Sequence, residues 1–425
     1  MPWVVGILLG AGLILTIRTG VVQIRRFGEA CRVAFVRHGS GRGALTPFQA
    51  FMTALAASIG TGNIAGVATA IVSGGPGALF WIWVYGFVAT AIKFAEAVLG
   101  VTFRETRGDT VLSGPMYYLR DGLGSPFLAW LFAFVAAVAA LTTTPFTQPN
   151  SIALVLDTVV GIPRLASGIV IAILTWLVII GGIKSIGRAA ERLSPLKVGL
   201  YLAGGLIVIL VNAAHIPGVI AMVVREAFTM QSALGFGIFT AMRYGIARGI
   251  YANEAGYGTA AVAYGTAQSD RPAQQGLNAV MEVFIVSFVT STISAMTILL
   301  TGMWHSGLTS TAAVAAGFNS AIPVAGGWIV AFCTFLFGYT TLIGWAYYGE
   351  QFFEYILGRK VTLPYRWIYC LLIPFGAISR VDVVWAWGDL MNVLQVFPNL
   401  IGVIGLSGLV AKIARGPDPV RPFAS

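Results

Sequence analysis

The chain has 425 residues, of which 57% are hydrophobic and only 10% are charged, and its mean hydropathy is +0.84. Soluble domains carry about 25% charged residues, so this composition excludes a soluble enzyme, a nucleic-acid-binding domain and a disordered chain. The formal net charge is +10. In a membrane protein, the positions of the cations indicate how the helices are oriented, because cations in loops orient membrane helices. We therefore predict an all-α polytopic membrane protein.

Apolar runs long enough to cross a bilayer follow one another along the whole chain. Crossing the hydrocarbon core takes about 20 apolar residues in a helix, and on that scale we count about 11 transmembrane helices. The candidate spans are 3–17, 48–73, 77–101, 126–156, 167–183, 196–214, 230–265, 276–303, 327–357, 366–379 and 382–413. Several exceed one straight crossing, so we expect tilt or internal breaks.

The cations between these spans indicate the orientation. Placing the N-terminus outside puts most of the 26 Lys and Arg residues in cytoplasmic segments, Lys197 among them, and leaves Arg164, Arg225 and Arg380 outside. Cytoplasmic loops are enriched in Lys and Arg, so we predict an outside N-terminus and a cytoplasmic C-terminus. The basic charge then needs no nucleic-acid partner.

The second span is interrupted at its centre by the sequence SIGTGNIAG, residues 58–66. Two close glycines with Thr61 and Asn63 weaken a helix at membrane depth, which is tolerated where the break borders a cavity. Freed N–H groups there can bind an anion and freed carbonyls a cation. The alternative is a packing face, since small residues at this spacing also join membrane helices.

A second discontinuous helix is indicated in the seventh span, 230–265, which contains several glycines together with Arg248, Asn253 and Glu254. Such groups are costly inside a membrane unless they are paired or hydrated. They form either a structural ion-pair lock or a gate or ligand contact. With a broken helix opening each half, the spans fit a five-plus-five inverted repeat preceded by one extra N-terminal helix, a geometry of secondary transporters.

This arrangement divides the chain into four parts. Residues 1–47 form the N-terminal transmembrane helix and a cytoplasmic amphipathic helix, and residues 48–214 form the first inverted repeat. Residues 215–413 form the second inverted repeat, and residues 414–425 form a cytoplasmic tail.

Two further stretches carry polar groups inside spans. The hydroxyls of Thr340 and Thr341 could coordinate sodium, which accepts neutral oxygens, although threonines in helices also bond to their own backbone carbonyls. The run 142–150 contains two prolines, which predicts a non-helical or cavity-lining stretch. Catalytic and metal-binding motifs are missing from the sequence, so we do not expect an enzyme.

Several motifs resemble the bacterial alanine/glycine:cation symporter family. They are AASIGTGNIAGVATA (56–70), GGPG (74–77), KFAE (93–96), GPMYY (114–118), ANEAG (252–256) and GW (344–345) with YYGE (347–350). The resemblance covers nearly the whole chain. It implies a leucine-transporter-like fold in the cell (inner) membrane and Na+-coupled symport of small neutral amino acids, chiefly alanine and glycine, by alternating access. We expect the protein to be a monomer.

The resemblance further implies which residues bind the two solutes. The substrate site would comprise Thr61, Gly62, Asn63, Gln148, Asn150, Tyr251 and Trp345. The sodium site would comprise the hydroxyls of Thr340 and Thr341 and the carbonyls of Ala56, Ile59 and Phe337.

Departures from the family pattern leave the substrate open. Residues 144–150 read TPFTQPN where the family usually has Gly-Asn-Met-x-Gln-x-Asn, so the pocket could select a different amino acid. A proton-coupled or differently selective small-solute transporter of the same fold is the first alternative. A channel, or a sensor that binds without transporting, is the rival from another class.

Overall fold

The computed structural model describes residues 2–39, 41–107, 110–230 and 237–416, and most of this part of the chain is helical. In chain order its helices are α1 Pro2–Thr19, α2 Val22–Arg25, α3 Phe27–Val33, α4 Pro47–Ser58, α5 Ala65–Gly74, α6 Ala78–Thr102, α7 Pro115–Tyr117, α8 Pro126–Thr142, α9 Thr144–Val160, α10 Arg164–Ile179, α11 Gly182–Val211, α12 Ile216–Phe228, α13 Ile238–Asn253, α14 Thr259–Gly265, α15 Pro272–Val283, α16 Ser291–Leu300, α17 Ser310–Ala321, α18 Ala325–Leu357, α19 Thr362–Ile378, α20 Val381–Gly405 and α21 Ser407–Arg415. Strands β1 Glu105–Arg107 and β2 Thr110–Leu112 form an antiparallel hairpin. Most of the predicted tail, 414–425, lies outside the described residues.

The helices overlap every predicted span. Within the described residues, 6 helices are long and apolar enough to cross a membrane, or 8 if each of two bent pairs counts as one span. The predicted all-α polytopic class is therefore confirmed, while the number of crossings stays a prediction.

One predicted cytoplasmic segment is instead the first half of a long helix. α11 runs through 30 residues without interruption, and Lys197 lies near its middle with 0% of its surface exposed. The sequence analysis placed Lys197 in a cytoplasmic segment, whereas the structure buries it inside this continuous helix, which runs through Pro195.

The predicted break in the second span is present between α4 and α5. A 3₁₀ turn covers Thr61–Asn63, and the two halves of the span are bent by 62°. At this turn, Gly62 lets the backbone lie close to the ring of Tyr251, because a Cβ atom at residue 62 would be 2.6 Å from that ring. Since Tyr251 belongs to α13, the first break lies directly against the second broken span.

The second break separates α13 from α14. Glu254, Gly256 and Gly258 have φ angles of 57°, 96° and 80°, a left-handed conformation that glycine adopts at little cost. Helix α18 packs against α4, α8, α9 and α11. The first break is therefore bordered by α13 on one side and by α18 on another.

Candidate functional site

A glutamine side chain holds the turn of the first break. Oε1 of Gln148, on α9, accepts hydrogen bonds from the backbone N–H of Thr61 at 3.1 Å and from its hydroxyl at 3.0 Å. Both residues are buried. The predicted lining stretch 142–150 is helical apart from the junction at Thr143, so it reaches the break as a helix and not as a loop.

A small cavity lies between the two breaks. Its lining includes Gly62, Gln148, Tyr251, Trp345, Glu254 and Thr341. The first four are predicted substrate residues. Thr61 adjoins them through its bonds to Gln148.

Two predicted substrate residues point elsewhere. Nδ2 of Asn63 donates to the carbonyl of Ser58 at 3.1 Å, which braces the turn across the break. Nδ2 of Asn150 donates to the carbonyls of Gly376 and Ser379 at 3.1 and 2.7 Å, at the end of α19. Neither asparagine is among the described residues that line the cavity, so both hold backbone rather than face the cavity.

The predicted sodium ligands lie together where α18 meets the end of α4. The hydroxyl of Thr340 is 3.1 Å from the carbonyl oxygens of both Ala56 and Phe337. The hydroxyl of Thr341 is 3.2 Å from the Ala56 carbonyl and 2.9 Å from that of Ala57. These neutral oxygens are chemically suited to a monovalent cation.

The sequence analysis missed the side chain that already contacts these oxygens. Nζ of Lys197 lies 2.6 Å from the Ile59 carbonyl, 3.1 Å from the Ala56 carbonyl and 2.6 Å from the Thr340 hydroxyl. A lone cation inside the apolar run 196–214 was the available signal, because an ionisable residue at membrane depth is a functional hypothesis by default.

The glutamate of the second break faces the cavity. Oε1 of Glu254 accepts a hydrogen bond from Nε1 of Trp345 at 2.7 Å. Arg248 instead forms an ion pair with Asp389 of α20 at 3.2 Å. The interpretation of Arg248, Asn253 and Glu254 as an ion-pair lock is therefore wrong, because Arg248 pairs with Asp389 and Glu254 bonds to Trp345.

A buried ion pair connects the two breaks. Nζ of Lys93, on α6, lies 2.7 Å from Oε1 of Glu282, on α15, and both side chains are 1% exposed. The same ammonium donates to the hydroxyl of Ser58 at 2.8 Å and to the carbonyl of Asn253 at 2.5 Å. Ser58 ends α4 and Asn253 ends α13, so one lysine fixes both helix ends.

A second, larger cavity adjoins the first. It shares Tyr251, Tyr257 and Asn392 with the smaller one and has Arg248 and Asp389 in its wall. The Arg248–Asp389 pair therefore lies in the wall of a cavity that adjoins the one between the breaks.

Comparison with known proteins identifies the family. The profile of the sodium:alanine symporter family matches residues 1–416. The chain belongs to this family. The sodium/alanine symporter AgcS of Methanococcus maripaludis is 38% identical over 99% of this chain and 95% of its own length. The amino-acid carrier protein AlsT of Bacillus subtilis is 34% identical over 97% and 90%.

Solved structures show the same fold at low sequence identity. The crystal structure of MhsT in complex with L-phenylalanine matches with a TM-score of 0.60 at 13% identity, over 88% of this chain and 89% of that one. A Na+-coupled sialic acid symporter matches with a TM-score of 0.54 at 11% identity, over 96% and 85%. The leucine-transporter-like fold is thereby confirmed. This member of the sodium:alanine symporter family is a multi-pass membrane transporter and not an enzyme, and sodium is the coupling ion of its family.

Proposed function

We propose that this protein carries a small neutral amino acid, alanine or glycine, through the cavity between the two breaks by sodium-coupled alternating access. The observation that carries the proposal is the cavity itself, because it is bordered by both broken spans and is lined by Gly62, Gln148, Tyr251 and Trp345. Substrate sites of secondary transporters lie where discontinuous helices meet.

The two ends of the cavity suit the two charges of an amino acid. Among the described lining residues, Glu254 alone carries a formal charge, and its carboxylate would receive the substrate ammonium. The substrate carboxylate would approach the backbone at Thr61 and Gly62, near the start of α5, where a helix N-terminus favours an anion. The rings of Tyr251 and Trp345 would leave room for a small side chain.

Sodium would bind beside the substrate at the carbonyls of Ala56, Ile59 and Phe337 and the hydroxyls of Thr340 and Thr341. These groups belong to the first break and to α18, so a cation there would hold the two together. This contact would couple sodium entry to the substrate-competent arrangement of the cavity.

The transporter would act as a monomer in the cell membrane, with the N-terminus outside and the C-terminus cytoplasmic. The asymmetric distribution of Lys and Arg supports this orientation. Labelling of terminal cysteines by a membrane-impermeant maleimide in intact cells tests it, and labelling of the C-terminal site from outside would overturn it.

Uptake of radiolabelled alanine and glycine into proteoliposomes tests the function. We expect accumulation above the external concentration when sodium is imposed inward. Facilitated equilibration without accumulation would indicate a channel, and the absence of movement of either amino acid would overturn the assignment of substrate.

A further inference from the structure

Lys197 is a buried basic residue on α11. Its residue is 0% exposed, and within the described parts of the chain no carboxylate oxygen forms a salt bridge with its ammonium. Isolated charges are costly at membrane depth. The ammonium therefore depends on neutral oxygens for its stability.

All three N–H donors of the ammonium have an oxygen within reach. They are the carbonyls of Ile59 and Ala56 and the hydroxyl of Thr340, at 2.6, 3.1 and 2.6 Å. The ring centroid of Phe337 lies 5.3 Å from the same nitrogen, within the range of a cation–π contact. Lys197 thus has a complete cation-binding environment.

This environment coincides with the proposed sodium site. Ala56, Ile59 and Thr340 are shared between the two, and the backbone of Phe337 belongs to the same cluster. An ammonium and a sodium ion each carry one positive charge and cannot occupy the same oxygens at once. Sodium can therefore bind there only after the lysine side chain has left.

We propose that the ammonium of Lys197 competes with sodium for the Ala56–Ile59–Thr340 site and acts as a tethered substitute for it. The proposal rests on the proposed transport function for its location, and it adds a residue that sets how strongly this chain depends on sodium. With the ammonium inserted, the first break and α18 are already bridged by a cation. External sodium then stimulates transport less than it would if the site were open.

The alternative is that Lys197 is a purely structural link between α11, the first break and α18. The two hypotheses differ in how the sodium response of transport changes when the lysine is removed. A structural link predicts a less stable protein with unchanged sodium response. Competition predicts a stronger sodium response.

The test compares wild type with Lys197→Met and Lys197→Arg. Methionine keeps the length and apolar stem but removes the charge, whereas arginine keeps the charge. Lys184→Met is the matched control, because it removes a cation from the exposed start of the same helix. Alanine uptake into proteoliposomes is measured as sodium replaces choline at constant ionic strength.

We expect the half-maximal sodium concentration to fall at least tenfold in Lys197→Met. Lys197→Arg and Lys184→Met should keep the wild-type response. Equal sodium activation in wild type and Lys197→Met would overturn the competition.

A second measurement covers a Lys197→Met variant that folds but does not transport. Sodium-dependent thermal stabilisation of the purified protein reports ion binding directly, since a ligand that binds the folded state raises stability. Sodium should stabilise Lys197→Met more than wild type, and equal stabilisation would refute the inference. If sodium stabilises the protein but alanine is not taken up, only the assignment of alanine as the substrate is rejected. If alanine is taken up and the sodium responses of wild type and Lys197→Met are equal, only the competition is rejected.

Discussion

At the scale of single residues, Glu254 brings a carboxyl group to the cavity between the breaks. Its backbone is left-handed, with a φ of 57°, and its carboxylate is bonded to Trp345. A non-glycine residue in this conformation is uncommon and marks a functional hypothesis. The carboxylate is therefore held at the cavity by both the backbone turn and the indole.

Glu254→Gln tests whether this charge binds the substrate ammonium. The amide oxygen of glutamine can still accept the Trp345 hydrogen bond, so the fold of the break should be retained. We expect the apparent affinity for alanine to fall at least tenfold, about 1.4 kcal/mol, as a lost charge-assisted hydrogen bond implies. Glu226→Gln, a buried carboxylate on α12, is the control, and an unchanged KM in Glu254→Gln would contradict the role.

Trp345 forms part of the wall of the cavity between the breaks. Replacing it by Phe keeps an aromatic ring but shortens the wall, so larger amino acids should gain access. We expect the ratio of leucine to alanine uptake to rise several-fold. Trp328→Phe, on the exposed face of the same helix, should leave the ratio unchanged. The same ranking of substrates in Trp345→Phe and wild type would show that the indole does not limit size.

At the scale of elements, a carboxylate caps the second break. Oε1 of Glu96, on α6, accepts the N–H groups of Gly256 and Gly258 at 2.9 and 3.1 Å and the amide of Asn399 at 2.7 Å. Broken helices leave N–H groups without intrahelical partners. One buried oxygen thus replaces the bonds that α13 and α14 lose at their junction.

Since one oxygen receives all three donors, glutamine can replace Glu96 better than leucine can. We expect Glu96→Gln to keep near-wild-type thermal stability, because its amide oxygen can occupy the same position. Glu96→Leu should lose about 2 kcal/mol or more, since each unsatisfied buried group costs about 1–3 kcal/mol. Thermal unfolding in detergent checks this, and equal stability of the two variants would refute the capping role.

Both breaks could be predicted from sequence because their cause is local: glycines and polar residues inside apolar runs. The course of α11 could not, since the residues before Lys197 suit a loop and a helix equally. Gln148 and Trp345 were found through resemblance and do line the cavity. The sequence could not show that Asn63 bonds to Ser58 and Asn150 to the end of α19, because these bonds depend on the course of the break and on tertiary packing. Their role in substrate binding stays a prediction.

At the scale of the whole molecule, two ion pairs have different positions relative to the cavity. The Lys93–Glu282 pair is buried, and Lys93 bonds to the ends of both α4 and α13. It therefore holds the two breaks next to each other. Arg248–Asp389 is partly exposed, at 15% and 29%, and links α13 to α20 beside the larger cavity. The first pair is thus enclosed in the core, whereas solvent can reach the second.

If the Arg248–Asp389 pair holds the larger cavity closed, weakening it should make that cavity more accessible. Asp389→Asn keeps the shape of the side chain and removes its charge, and a partly exposed pair is worth up to about 1 kcal/mol. We expect a cysteine introduced at Ala386, in the wall of this cavity, to react with an external maleimide about fivefold faster in Asp389→Asn, in a Cys31→Ser background. Arg225→Gln removes a surface pair on α12 and should leave the rate unchanged. Equal rates with and without Asp389 would mean that the pair does not control access, and the gate would then have to lie in the rings of Tyr251 and Tyr257, which line both cavities.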